Sequence, residues 1–142
     1  MSWEMNCAVA VAGSVLTFAF GMWNEALTLL VVAMGVDYVT GVYAAIRSGP
    51  GLNSRTGFRG LAKKGLMLLV LLVCHRIDQL LGMNAVMGGA TYFYLANELI
   101  SVVENCGRLG LPLPERLKQA VQMLKSKSKD DDLKSKGNDL KS

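Results

Sequence analysis

The sequence predicts an all-α integral membrane protein with three to four transmembrane helices, a short amphipathic helix and a disordered charged C-terminal tail. Three observations carry that expectation. The 142 residues are 51% hydrophobic and 18% charged, whereas soluble domains carry about 25% charged residues, and the mean hydropathy is +0.32. The charges are crowded: residues 108–142 hold 14 of the 26 charged side chains, and five of the other 12 lie between Arg47 and Lys64. The stretches between are long and nearly uncharged, which argues against a soluble enzyme and a disordered chain. The expected division is a transmembrane domain over residues 1–106 and a wet segment over 107–142.

The first expected span is residues 7–23. It is uncharged and close to the roughly 20 residues a bilayer requires. Ala8, Ala12, Val15 and Ala19 share one face, a small-residue pattern suited to close helix packing. If this segment lies at the interface instead, three spans remain. After the polar break at Asn24-Glu25, residues 26–46 carry a single charge, Asp37, and form the clearest span. Arg47 and the following Gly-Pro-Gly end it.

Residues 47–64 read as a loop with five cations, Arg47, Arg55, Arg59, Lys63 and Lys64, and no anion. The third span is expected at 65–82, a turn at Gly82-Met83-Asn84, and the fourth span at 85–105. Pro114 and Glu115 suit the start of a short amphipathic helix, with Leu117, Val121 and Leu124 along one side. Beyond Leu124, Lys-Ser-Lys repeats and the run Asp130-Asp131-Asp132 offer too little apolar area to offset ordering entropy, so disorder is expected.

Charge sets the expected topology. The basic segment 47–64 and the basic tail should both be cytoplasmic, and the uncharged connection 82–89 should be outside. The C-terminus is then cytoplasmic in a multi-pass membrane protein.

A few polar residues remain inside the expected spans. A central Asp or Arg costs roughly 2.5–3.5 kcal/mol on insertion scales, so each requires a partner or water. At a rise of about 1.5 Å per residue, Asp37 and Glu98 lie about 15 Å from the inner surface and Arg76 about 18 Å, which places the three in one layer. Asn97, Glu98, Ser101, Glu104 and Asn105 share one face of the fourth span; Asp37, Thr40, Gly41 and Ala44 share one face of the second; His75, Asp78 and Gln79 share one face of the third. Two readings stay open: Arg76 neutralises Asp37 or Glu98 within one chain, or the polar faces line a lumen formed by oligomerisation.

No nucleophile elbow, phosphate loop or paired ligand motif is present, so neither enzyme activity nor a cofactor is expected. Cys7, Cys74 and Cys106 form no ligand spacing; no metal is expected, and free buried thiols are. The single His75 reads as a network member, and Trp3, Trp23, Tyr38 and Tyr43 as packing or interface anchors. No basic face is interleaved with aromatics, which disfavours nucleic acid as a partner.

Several motifs together resemble the toxin-secretion/phage-lysis holin family over residues 26–125. They are Asp37-Tyr38-Val39-Thr40-Gly41 followed by Ala44-Ala45 and Ser48, then Gly60-Leu61-Ala62-Lys63-Lys64, then Asn97-Glu98-Leu99-Ile100-Ser101-Val102-Val103-Glu104-Asn105, and Gly110-Leu111-Pro112-Leu113-Pro114. The resemblance implies a phage or prophage protein of the host inner membrane. It would accumulate in the lipid bilayer, form a homo-oligomer and open lesions through which endolysin, a functional partner, reaches the cell wall. Some relatives serve toxin export instead. The basic tail is expected to touch anionic headgroups, at about 1 kcal/mol per nearby Lys or Arg. A second reading from another class is a small four-helix proton-coupled transporter using Asp37 or Glu98, and a third is a membrane scaffold. Met5 offers a second start, which Glu4 in the extra segment disfavours.

Overall fold

The computed structural model describes residues 2–49 and 53–139. Five helices follow one another: α1 (Trp3–Phe20), α2 (Glu25–Ser48), α3 (Ser54–Leu81), α4 (Ala85–Arg108) and α5 (Glu115–Asp139). Asn24 starts α2 by accepting a hydrogen bond from the Leu27 amide through its side chain. Asn53 does the same for α3 with the Arg55 amide. These caps satisfy donors that a helix start leaves without an intrahelical partner.

The core lies between α2, α3 and α4. Leu27, Leu30 and Met34 of α2 meet Leu71 of α3 and Met87 and Leu95 of α4. The α2 and α4 helices run in the same direction: Leu27 and Met87 share the core near their starts, and Arg47 Nη1, in the last turn of α2, donates to the Leu109 carbonyl just past the end of α4. The α1–α2 and α3–α4 connections thus lie at one end of the bundle, here the turn end. The α2–α3 connection and the end of α4 lie at the other, here the basic end.

Most apolar surface on α1 and α2 faces outward. Only 6% of the most apolar window of α1 and 22% of that of α2 is buried. Val9, Val11, Val15, Phe18, Val32, Val39 and Ile46 are among the exposed large side chains. A soluble protein would cover such an area, since each Å² left in water forfeits about 25 cal/mol; a bilayer covers it. By length and composition alone, α1 and α2 are the helices among the described residues apolar enough to cross a membrane.

The expected helix extents agree with α2 and α4 and shift elsewhere. The first helix runs from Trp3 to Phe20, and of its small-residue face only Ala19 is buried; Ala8, Ala12 and Val15 are exposed. The segment expected as a basic loop is mostly helix. The α3 helix begins at Ser54, so Arg55, Arg59, Lys63 and Lys64 all stand on its first three turns. Nothing in that stretch breaks a helix, and Asn53 starts one; the hydropathy pattern marked where apolarity begins, not where the helix does. Pro50 and Gly51, expected to end α2, lie outside the described residues.

Disorder beyond Leu124 is also not what the structure has. The α5 helix continues to Asp139 and returns antiparallel along α4, with Val121 buried and Lys127 Nζ 4.8 Å from the centre of the Tyr92 ring. The expectation for residues 140–142 lies outside the described residues.

Candidate functional site: an ion-pair layer between three helices

Lys64 is the centre of the site. Its Nζ lies 2.6 Å from Asp37 Oδ2 on α2 and 2.5 Å from Glu98 Oε2 on α4. The side chains are 13%, 17% and 5% exposed in the order Lys64, Asp37, Glu98. One ammonium therefore joins two carboxylates across three helices and leaves the cluster one negative charge in excess. Ten residues separate Lys64 from the start of α3, and Glu98 from Arg108; eleven separate Asp37 from Ser48. At about 1.5 Å per residue, all three lie some 15 Å from the basic end.

Arg76, the cation that one of the two open readings paired with these carboxylates, does not reach them. It lies twelve residues beyond Lys64 on the same helix, near the turn end. There its Nη2 donates to the Phe18 carbonyl at 2.8 Å, and its guanidinium stands 4.3 Å from the centre of the Phe18 ring. A cation at the C-terminus of α1 suits the negative end of that helix dipole. The expected layer therefore contains Asp37 and Glu98 but not Arg76. Because α3 starts ten residues before Lys64, a residue read as a surface cation lies in the layer instead.

Asn105 ties the layer to α2. Its Nδ2 donates to Asp37 Oδ1 at 2.9 Å, to the Asp37 carbonyl at 3.1 Å and to Thr40 Oγ1 at 3.1 Å. A Cβ on Gly41 would stand 3.4 Å from that same nitrogen, so a small residue suits the contact. Asp37, Thr40 and Gly41 thus meet Asn105 at one point, although about 65 residues of chain separate them.

The layer opens into a crevice of about 310 Å³, lined in part by Tyr38, Gly60, Lys63, Ser101 and Glu104 together with the ion-pair residues. Glu104 and Lys63 are exposed, and Ser101 is half-buried. Asn97 is exposed and lines a neighbouring hollow with Lys63 and Ser101. The expected polar face of α4 is therefore split: Glu98 and Asn105 turn into the bundle, while Asn97, Ser101 and Glu104 border water-accessible space.

The expected polar face of α3 does other work. Asp78 is 3% exposed and caps α4, accepting from the Val86 and Met87 amides at 3.0 and 2.9 Å. Asn84, at the cap position itself, makes no such bond. Gly82 ends α3 in the left-handed conformation, and the Met83 amide closes back on the Asp78 carbonyl, so Asp78 joins both helices through side chain and backbone. His75 covers Gly21 in the α1–α2 turn. Pro114 precedes α5, its carbonyl accepting from the Leu117 amide. The three cysteines are free; Cys106 is buried and Cys74 half-buried, but Cys7, expected buried, is exposed on α1.

Sequence reasoning missed Lys64 as a member of the layer. The available signal was the Asn53 cap followed by a stretch without Gly-Pro or acidic breaks, which brings residue 64 nearly three turns into a helix.

Uncovered apolar helices around a charged layer define an α-helical membrane protein whose polar groups meet inside the bundle. Residues 14–126 match the bacteriophage holin family, and the chain belongs to that family. Relatives agree. A probable holin of Bacillus phage phi105 is 33% identical over 114 residues, covering 80% of this chain and 82% of that one. An uncharacterized 14.9 kDa protein of Clostridium perfringens is 45% identical over 117 residues, covering 81% and 88%. An uncharacterized protein of Halalkalibacterium halodurans is 38% identical over 127 residues, covering 85% and 93%. No solved structure matches the chain.

Proposed function

We propose that the protein is a holin that oligomerises in a bacterial cytoplasmic membrane and opens lesions through which endolysin, or an exported toxin, leaves the cytoplasm. The observation that carries the reading is the Lys64–Asp37–Glu98 layer with its open polar crevice. Within lipid such a crevice is costly; in the wall of an assembly it borders water. The uncovered faces of α1 and α2 supply the surfaces that lipid or neighbouring copies cover.

In this reading α2, α3 and α4 cross the bilayer with the basic end in the cytoplasm, where Arg47, Arg55, Arg59 and Lys63 meet water and anionic headgroups. With α1 also crossing, both termini are cytoplasmic. The α5 helix reaches Tyr92, sixteen residues from the end of α4, or about 24 Å. Its lysines are too costly for hydrocarbon at that depth, so the flank of α4 that carries α5 faces water in the assembled state.

A proton-coupled transporter requires a membrane carboxylate free to take up and release a proton. Asp37 and Glu98 share Lys64 instead, which favours the holin reading. The deciding experiment is expression in bacteria with and without a co-expressed endolysin, following membrane potential, viability and lysis. Abrupt growth arrest, with lysis only when endolysin is present, is the expected result. Unimpaired growth at high membrane abundance would overturn the proposal.

A further inference from the structure

A second cavity, of about 760 Å³, lies at the turn end, about 18 Å along α3 from the ion-pair layer. It is bounded by the α1–α2 turn, the last turns of α3 and the first turns of α4, and none of the ion-pair residues lines it. The ionisable side chains Glu25, His75, Arg76 and Asp78 line it, and their partners differ. Asp78 is committed to the α4 amides. Arg76 spends Nη2 on the Phe18 carbonyl, but its Nε is buried with no hydrogen-bond partner. A buried donor of this kind costs about 1–3 kcal/mol until something accepts from it. Glu25 is exposed and has no ion-pair partner among the described residues. The cavity is thus lined by one cation and one carboxylate that have no ion-pair partner among the described residues.

The surroundings are amphiphilic. Met22, which lines the cavity, and Leu80, next in sequence to the lining residue Gln79, are 89% and 85% exposed. Trp23 donates its indole N–H to Thr28 and remains half-exposed at the same end, as aromatic side chains do at a membrane interface. A polar cavity beside exposed aliphatic side chains suits a molecule with a charged head and an apolar tail.

We propose that this cavity binds the headgroup of a zwitterionic phospholipid, the phosphate on Arg76 and the ammonium on Glu25. The inference requires that the bundle crosses a bilayer, but not that it opens lesions. The guanidinium, 4.3 Å from the centre of the Phe18 ring and without an ion-pair partner among the described residues, presents charged donors to the phosphate. A soluble phosphoethanolamine has the same charges, and the apolar rim favours the lipid.

The test is native mass spectrometry of the full chain extracted from vesicles of equal phosphatidylethanolamine and phosphatidylglycerol. The wild type is expected to retain one phosphatidylethanolamine, preferred by about tenfold, as expected for one charge-assisted contact. Arg76→Gln should lose retention of both lipids. Glu25→Gln should retain lipid without the preference, and because Glu25 is exposed it decides the matter even if Arg76→Gln fails to fold. Displacement of the lipid by micromolar free phosphoethanolamine would overturn the lipid assignment. Equal retention of the two lipids by the wild type, or an unchanged preference in Glu25→Gln, would overturn the proposal.

Discussion

Lys64 precedes Glu98 by 34 residues, yet its ammonium stands 2.5 Å from the Glu98 carboxylate and bridges it to Asp37 on a third helix. Each of the three helices contributes one charge to a layer that no single helix would stabilise.

Removing the cation exposes the dependence. In Lys64→Met, two largely buried carboxylates remain without a counter-ion. Losing one partner of a buried pair costs about 3–5 kcal/mol. The thermal midpoint in detergent, followed by circular dichroism, should fall markedly. The triple variant Lys64→Met, Asp37→Asn, Glu98→Gln should recover most of the loss, because no uncompensated charge is left. A single variant as stable as the wild type would show that the layer contributes little to folding.

Neutralising the carboxylates separately addresses function. Asp37→Asn and Glu98→Gln keep the shape of the site and remove its excess negative charge. Each should change the time of lysis, or abolish it, while immunoblots show normal membrane abundance. Wild-type timing in both variants would reduce the layer to a packing device.

The α1–α2 turn depends on Gly21. Its φ of +70° and ψ of −150° lie in a region that is essentially restricted to glycine, at a cost of about 1–3 kcal/mol for other residues. A Cβ there would also stand 2.6 Å from His75 Cε1. Gly21→Ala should lower the thermal midpoint, and adding His75→Ala should recover only the contact part of the loss. Full recovery in the double variant would show that the backbone conformation is not the cost.

The length of α5 makes a kinetic prediction. A chain ending at Leu124 keeps Val121 against the bundle but loses Lys127 from the Tyr92 ring. If α5 occupies the water-facing flank of α4, shortening it should advance lysis in a time course at matched expression. An unchanged lysis time would show the outer half of α5 to be a bystander.

Residues 26–46 and 85–105 were legible as helices because each pairs a long apolar run with a polar stop: Arg47 in one case, Arg108 and Gly110 in the other. The family resemblance was legible because its motifs are short and keep their order. The start of α3 was not: a hydropathy boundary lies at residue 65, whereas the helix starts at its Asn53 cap. Nor was the end of α5, where composition suggested disorder and a helix runs on to Asp139.

By itself the sequence determined that the chain is built of long apolar helices, and that Asp37 and Glu98 lie at one depth, because spacing along a helix converts directly into distance. Only the tertiary structure decided which cation meets them. Lys64 and Arg76 are twelve residues apart on one helix, both long and both charged, and local sequence does not rank them. The choice follows from where α3 begins and how it lies between α2 and α4. That placement brings Lys64 to the two carboxylates and carries Arg76 about 18 Å away, to the carbonyl of Phe18 and the cavity at the opposite end.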